Sequence, residues 1–192
     1  MKLLIHACCA DCLLKFIDSI KRENKEISEI EVYFYNPNIH PRSEYLTRLK
    51  AIKKITEDNK IKLIVADWSP REYFKGTKPT IPSLNLPKAD AFRRASKAWR
   101  CINCWKLRLE KTFEYAKEKD FEVLSSTLIT SHYQDQKKIE KIAKELENDY
   151  KTKFFVPKKV SKNLKTTGFY KQNYCGCCYS LVEAWENKFG EK

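Results

Sequence analysis

The order in which strand and helix patterns alternate is the sequence feature that most restricts the fold. Three short apolar runs, Lys2–His6, Glu31–Tyr35 and Leu63–Ala66, are typical of strands. Between them, apolar residues recur every three or four positions, as on one face of a helix. The first such face carries Leu13, Phe16, Ile17 and Ile20, and the second carries Tyr45, Leu46, Leu49, Ile52 and Ile55. Because strand–helix–strand units close through right-handed crossovers, this alternation predicts a parallel sheet.

The rest of the chain continues the α/β pattern less regularly. From Asp67 to about Pro87 we predict loop or short helices, and Lys151–Asn173 is basic and weakly periodic. The other predicted elements are a helix over residues 91–119, a strand at Val123–Ile129, a helix around Gln136–Leu146, a loop or short edge strand at Phe154–Val156 and a closing helix at Leu181–Phe189. Together the elements predict one Rossmann-like, three-layer α/β domain over residues 1–192.

The loop after the first strand is the usual ligand position in such a fold. Here it contains no glycine and reads His6-Ala7-Cys8-Cys9-Ala10-Asp11-Cys12. The chain has four glycines, and none lies in a dinucleotide-binding or P-loop pattern. The backbone approach that cradles a phosphate is therefore missing, which excludes the ATP pyrophosphatase loop of tRNA-thiolating enzymes. Thiols stand where a nucleotide would bind.

The eight cysteines form three groups: Cys8, Cys9 and Cys12; Cys101 and Cys104; Cys175, Cys177 and Cys178. The gaps between these groups are far longer than zinc-finger spacing. A site built from such distant segments needs a preformed scaffold, as an iron–sulfur cluster in a larger fold does. We therefore predict a [4Fe–4S] cluster on four thiolates, which leaves up to four thiols for a second metal, a redox disulfide or the core. Structural zinc is the alternative, and a disulfide framework is disfavoured in a reducing compartment.

Two residues beside the thiols, Asp11 and His6, have two interpretations each. Asp11 is either a helix-start carboxylate favoured by the helix dipole or a hard oxygen ligand for an iron with an open position. His6 is either a packed core histidine or, because the thiols follow at once, part of the site. Cys178 is interpreted as a small buried residue outside the site.

The charge balance points to a polyanionic partner. Lys and Arg number 38 against 25 Asp and Glu, a net charge of +13, which favours nucleic acid. A surface rich in Lys and Glu, as in thermophiles, is the alternative. The N-terminus has no secretory pattern and no run approaches a membrane span, so we expect a cytoplasmic protein.

Taken together, these residues resemble the cobalamin-independent epoxyqueuosine reductases, the QueH family. The resemblance covers nearly the whole chain, and only Lys151–Lys165 looks more divergent. Its matching stretches are His6-Ala7-Cys8-Cys9-Ala10-Asp11-Cys12; Asn36-Pro37-Asn38-Ile39-His40-Pro41 with Glu44-Tyr45 and Arg48; Arg100-Cys101-Ile102-Asn103-Cys104 with Leu107-Arg108-Leu109-Glu110; Ser125-Ser126-Thr127-Leu128; and Tyr170-Lys171-Gln172-Asn173-Tyr174-Cys175-Gly176-Cys177 with Tyr179-Ser180. The family usually has proline where this chain has Asp11.

The resemblance implies an oxidoreductase of queuosine biosynthesis. Its reaction is the two-electron removal of the epoxide oxygen from epoxyqueuosine at the tRNA wobble position, which gives queuosine. We hypothesise a [4Fe–4S] cluster on Cys9, Cys101, Cys104 and one of Cys175 and Cys177, with Cys177 the first choice. Catalysis would fall to a second, mononuclear iron held by Cys8, Asp11, Cys12 and the other thiol of that pair.

The implied partners are a tRNA that carries epoxyqueuosine and an unidentified electron donor, without a membrane. Trp68, Tyr73, Trp99 and Trp105 could stack on an everted base, or be core residues. Arg93, Arg94, Lys97 and Arg100 could contact phosphates, or be a solvated helix face. Two other functions are considered: an iron–sulfur tRNA sulfurtransferase, and a non-catalytic, zinc-stabilised RNA-binding module.

Overall fold

The computed structural model describes residues 1–23, 26–77, 89–131, 134–158, 160, 168–172 and 174–189. Its strands are β1 (Lys2–His6), β2 (Glu29–Phe34), β3 (Lys62–Val65), β4 (Val123–Ser126) and β5 (Lys153–Phe154). Its helices are α1 (Ala10–Glu23), α2 (Arg42–Asp58), α3 (Pro70–Gly76), α4 (Ala89–Glu118), α5 (Gln136–Tyr150) and α6 (Cys178–Phe189). In the described residues, no helix is both long and apolar enough to cross a membrane.

The five strands form one parallel sheet in the order β3-β2-β1-β4-β5. The central strand β1 is apolar between its two end residues, and Leu3, Leu4 and Ile5 are fully buried. A strand with neighbours on both sides and helices on both faces has no solvated side, which explains its continuous apolar run. The predicted parallel α/β fold with a cysteine-rich loop after the first strand is confirmed.

The chain changes direction across the sheet at β1. It runs outward from β1 through β2 to β3, and then returns to place β4 and β5 on the other side of β1. Right-handed crossovers therefore place α1 and α2 on one face, and α4 and α5 on the other. At the carboxyl end of the sheet, His6 of β1 lies opposite Ser126 of β4. This is the topological switch point, where open α/β sheets bind their ligands.

The boundaries of four of the five predicted strands differ from the structure by one to three residues, and the last two strands show why. The strand predicted at Val123–Ile129 ends at Ser126, and a 3₁₀ turn over Thr127–Thr130 follows. The Ser126 hydroxyl accepts a hydrogen bond from the Leu128 amide at 3.2 Å, and this cap ends the strand inside a continuous apolar stretch. The edge strand predicted at Phe154–Val156 is shorter and lies at Lys153–Phe154. The errors concern only where a strand begins or ends, because the same apolar residues occur in strands and in the turns that follow them.

Candidate metal centre

The first cysteine group lies at the switch point of the sheet. The Cys9 carbonyl accepts a hydrogen bond from the Leu13 amide at 3.1 Å, so Cys9 is the last residue before α1. The Cys8 amide donates to Thr127 Oγ1 at 3.3 Å, and the Cys8 Sγ lies 3.6 Å from the same oxygen. The turn after β4 therefore holds the loop after β1. A hydrogen bond with Cys12 raises the pKa of the Cys9 thiol to about 12.

His6, at the end of β1, is held in place directly before this loop by two hydrogen bonds. Its side chain is 0% exposed, with Nδ1 at 2.7 Å from Ser126 Oγ and Nε2 at 3.1 Å from the Tyr35 carbonyl oxygen. Burial lowers the pKa of His6 well below its usual value, so the ring is neutral near pH 7. Both ring nitrogens have protein partners, which fits a packed core histidine that joins the ends of neighbouring strands.

The second group is on α4, where Cys101 and Cys104 are three residues apart and share a helix face. Cys104 is buried against Tyr73 and Cys177. Burial raises the pKa of the Cys104 thiol to about 12. A buried neutral thiol of this kind ionises when a metal replaces its proton.

The third group begins α6. The Cys177 carbonyl accepts from the Leu181 amide at 3.0 Å, so Cys177 precedes the first turn, as Cys9 does in α1. The Cys175 and Cys177 sulfurs are 3.6 Å apart, and the Ser180 amide donates to the Cys177 sulfur at 3.3 Å. The hydrogen bond from the Cys175 thiol, together with those from Ser180, lowers the pKa of Cys177 to about 5. The pair therefore loses its first proton from Cys177, beside a helix N-terminus.

A buried ion pair on α2 holds this third group in place. Arg48 is 2% exposed; its Nη1 donates to the Cys175 carbonyl at 3.2 Å and its Nη2 to the Tyr174 carbonyl at 3.3 Å. Its Nε donates to Glu44 Oε1 at 2.6 Å, and the Tyr170 hydroxyl donates to Glu44 Oε2 at 2.5 Å. Two acceptor carbonyls and one carboxylate thus satisfy the buried guanidinium, which fastens the third cysteine group to α2.

The second and third groups meet at one cavity of about 190 Å³. Four thiols line it, those of Cys101, Cys104, Cys175 and Cys177. The fully buried Tyr73 is also in its wall, and its hydroxyl hydrogen-bonds the Cys177 sulfur. Cys178 is not among the described residues that line the cavity.

The first group approaches this cavity through Arg108. The Arg108 side chain lines the cavity and interacts electrostatically with both the Cys104 and the Cys8 thiols. The thiols of Cys9 and Cys12, in the same cysteine group as Cys8, interact with each other. The Asp11 carboxylate forms an ion pair with Lys15 of the same helix at 2.7 Å. The structure thus brings four cysteines to one cavity, and the Arg108 side chain lies between them and Cys8.

The donor set fits an iron–sulfur group better than a single ion. Among the described residues, no three Cys, His, Asp or Glu side chains are grouped as ligands of one metal ion. The four thiolates of a [4Fe–4S] cluster bind four different irons, so they surround the cluster and do not converge on one point. Asn38 Oδ1 and Arg108 Nε are buried at this cavity without hydrogen-bond partners in the described part of the chain. A bound anionic group would satisfy the Arg108 Nε–H donor, whereas the Asn38 oxygen needs a donor such as a bound hydroxyl.

The aromatic residues proposed for base stacking differ in exposure. Trp99 is 47% exposed, whereas Tyr73 and Trp105 are buried in the cavity wall. The Trp105 indole donates to Gln134 Oε1 at 2.7 Å, and the partly buried Trp68 indole donates to the Ile39 carbonyl at 3.2 Å. Only Trp99 of the four therefore offers a largely open ring.

Arg100 is the one member of the proposed basic run with a described side chain. It lines the cavity and forms an ion pair with Glu183 at 3.2 Å. The side chains of Arg93, Arg94 and Lys97 lie outside the described residues, so their contact with phosphates stays a prediction.

A parallel α/β sheet that gathers buried thiols at the carboxyl ends of its central strands defines a Rossmann-like protein with a thiol-rich site. The sequence model of the family described as epoxyqueuosine reductase QueH matches residues 3–183. The chain belongs to this family of oxidoreductases, which confirms the resemblance.

Relatives named epoxyqueuosine reductase QueH occur in several bacteria. The chain is 32% identical to that of Thermotoga maritima, over 95% of this chain and 92% of the relative. It is 31% identical to that of Haemophilus influenzae, over 100% of this chain and 77% of the relative. It is also 31% identical to that of Dehalococcoides mccartyi, over 95% and 93%. Both chains are therefore aligned over most of their length in each comparison.

No role was predicted for Arg48 and Arg108, although both lie in the matching stretches. A signal was present, because each interrupts an otherwise apolar or thiol-bearing helix face. Arg48 is four residues before Ile52, and Arg108 is four residues after Cys104. An arginine at such a position must be paired inside the fold, although the spacing does not say with what.

Proposed function

We propose that this protein reduces epoxyqueuosine at the wobble position of tRNA to queuosine, with iron held by its buried thiols. The observation that carries the proposal is the cavity lined by Cys101, Cys104, Cys175 and Cys177 in a member of this family. Thiols from two distant parts of the chain meet there at the carboxyl end of a parallel sheet, where such folds bind their substrates.

The reaction has a defined balance of electrons and protons. Both C–O bonds of the epoxide break, a C=C bond forms between the same carbons, and the oxygen leaves as water. Two electrons and two protons are consumed, and an external electron donor must provide the electrons. When bound, a [4Fe–4S] cluster supplies electrons one at a time, and a mononuclear iron beside it supplies a Lewis acid for the epoxide oxygen.

Cys9, Cys101, Cys104 and Cys177 are assigned to the cluster in this proposal. The cavity shared by Cys101, Cys104 and Cys177 supports three of these ligands. Cys9 is buried beside Cys8, which contacts Arg108 at the edge of the same cavity. The Ser180 amide and the Tyr73 hydroxyl donate to Cys177, so they hold that sulfur as a thiolate ready for iron.

Cys8, Asp11, Cys12 and Cys175 are assigned to the second iron, with Cys8, Asp11 and Cys12 closest to the chemistry. Among the described residues these side chains are not grouped around one point, so iron binding must draw them together. The Asp11 carboxylate pairs with Lys15, so a bound iron would replace the lysine as its cationic partner. Because Asp11 stands at the start of α1, the helix dipole also favours its charged form. Thiolates and a carboxylate together suit an iron that keeps an open coordination position.

The tRNA is held by charge and by stacking. The net charge of +13 favours phosphate contacts. Trp99 and Arg100 are adjacent on α4, directly before Cys101, so an exposed ring and a cation stand beside the cavity. An everted wobble base could stack on Trp99 while its modified substituent enters the cavity.

The test is an anaerobic preparation with iron, sulfide and zinc counts and a visible spectrum before and after dithionite. We expect about four irons matched by sulfide for the cluster, one further iron, and a brown colour that dithionite bleaches. Incubation with tRNA containing epoxyqueuosine should then convert its epoxyqueuosine to queuosine, measured by mass spectrometry of the nucleosides. A colourless protein that holds only zinc would overturn the proposal and favour an RNA-binding module.

A matched pair of variants separates the proposed cluster ligands from other thiols. Cys104→Ser should lose the brown chromophore and the activity, because a hydroxyl replaces a cluster thiolate. Cys178→Ser should keep both, since Cys178 does not line the cavity in the described structure. A fully brown Cys104→Ser protein would remove Cys104 from the cluster.

A further inference from the structure

Arg108 is a buried cation without an ordinary counter-ion. Its side chain is 3% exposed, on α4 one turn after Cys104. Its Nη2 donates to Asn36 Oδ1 at 2.7 Å, whereas its Nε has no hydrogen-bond partner in the described part of the chain. Within the same residues, no Asp or Glu carboxylate forms an ion pair with it. A buried charge of this kind is costly unless an anion lies beside it.

The groups that face this guanidinium are thiols. Arg108 lines the same cavity as Cys104 of α4 and interacts electrostatically with Cys8 of the loop after β1. An arginine guanidinium keeps its proton even in a buried site, and the groups that interact with it here are thiols and not carboxylates. The side chain is therefore a fixed positive charge between two cysteine groups that are far apart in the sequence.

Asn36 fixes the orientation of the guanidinium. Its Oδ1 accepts from Arg108, and its Nδ2 donates to the Ala7 carbonyl at 2.8 Å. The segment after β2 thus joins the loop that carries Cys8 to the helix that carries Cys104. Because Asn36 is neutral, it positions the arginine without cancelling its charge.

We propose that Arg108 is the internal counter-cation of the thiolate-held iron group, a positioning residue that stabilises negative charge between Cys8 and Cys104. The inference rests on the proposed function in that the thiols must hold iron. Reduction adds negative charge to an iron–sulfur centre, so a neighbouring fixed cation favours the reduced form. Arg108 then makes the centre easier to reduce as well as holding two cysteine segments together.

The test compares Arg108→Lys, Arg108→Gln and Asn36→Asp in the anaerobic, iron-loaded protein. The measurement is the reduced fraction of the centre, followed by its visible spectrum, in a redox titration. Arg108→Lys keeps the charge and Arg108→Gln removes it. Asn36→Asp leaves the arginine in place and sets a carboxylate of similar shape against it, with loss of the hydrogen bond to the Ala7 carbonyl.

At a fixed solution potential near the wild-type midpoint, Arg108→Gln and Asn36→Asp should each lower the ratio of reduced to oxidised centre by about tenfold or more. Arg108→Lys should stay within about threefold of the wild type, since it keeps the charge. If Arg108→Gln does not fold, as judged by circular dichroism, the redox titration of Asn36→Asp alone tests the inference.

Two results would overturn the inference in distinguishable ways. A brown Arg108→Gln or Asn36→Asp protein with the wild-type titration would show that Arg108 only packs, and the proposed function would stand. A wild-type protein that holds no iron would overturn the proposed function, and the inference with it.

Discussion

The guanidinium of Arg48 occupies the space that a side chain at position 176 would need. A Cβ built on Gly176 would lie 2.9 Å from Arg48 Nη1 and 3.1 Å from its Cζ and Nη2. The backbone of Gly176 also has a φ of +112°, which residues with a side chain rarely adopt. The glycine between Cys175 and Cys177 therefore lets this loop pass against α2, and it sets where the two thiols stand.

Replacement of this glycine should loosen the third cysteine group. We expect Gly176→Ala to destabilise the protein by about 1–3 kcal/mol from backbone strain, with a further cost from the contact with Arg48. The measurement is the free energy of unfolding in urea. Gly168→Ala is the matched control, because Gly168 has a φ of +87° but nothing within 4 Å of its added Cβ. Equal losses in the two variants would show that the Arg48 contact contributes nothing.

The ion pair between Glu44 and Arg48 should contribute strongly to stability. Glu44 is 9% exposed and Arg48 is 2% exposed, so Glu44→Gln leaves a buried arginine without its carboxylate. Such a change costs about 3–5 kcal/mol in the free energy of unfolding. The control is Glu114→Gln, whose ion pair with Lys111 is largely exposed and should contribute about 0–1 kcal/mol. Similar effects from the two variants would contradict the role of the buried pair.

Asp11 should be needed for the second iron and not for the cluster. In Asp11→Asn we expect the iron count to fall toward the sulfide count, with loss of activity and a largely unchanged brown colour, because the amide is a weaker iron ligand. Asp18→Asn is the control, since Asp18 pairs with Arg22 on the same helix as Asp11 pairs with Lys15. An unchanged iron excess over sulfide in Asp11→Asn would remove Asp11 from the site.

Trp99 should contribute to tRNA binding. We expect Trp99→Ala to raise the KM for epoxyqueuosine tRNA by about tenfold with little change in kcat, since stacking of one base on an aromatic ring is worth about 1–3 kcal/mol. Leu46→Ala is the control, because Leu46 is a 50% exposed apolar residue on α2, the helix layer on the other face of the sheet. A KM that is unchanged in both variants would leave Trp99 without a part in recognition.

Much of the fold could be predicted because its signals are local. The buried run Lys2–His6 and the helical spacing of Leu13, Phe16 and Ile20 each lie within a few residues, and β1 and α1 appear where these patterns are. The end of β4 could not be predicted in this way, because the hydroxyl of Ser126 ends the strand while the apolar residues continue through Ile129. The membership of the QueH family was also readable, since its motifs are contiguous stretches of sequence.

The sequence by itself determined the alternation of elements, the three cysteine groups and the absence of a phosphate-binding loop, because each is a matter of residue type and short spacing. Only the tertiary structure decided which cysteines meet at one cavity and which charged side chains are buried beside them. Arg48 contacts the Cys175 carbonyl 127 positions away, and Arg108 interacts electrostatically with Cys8 in the loop after β1. Such contacts depend on how α2 and α4 pack against the carboxyl ends of the strands. No short-range sequence pattern predicts that packing, so the environment of the thiols follows from the fold and not from the motifs.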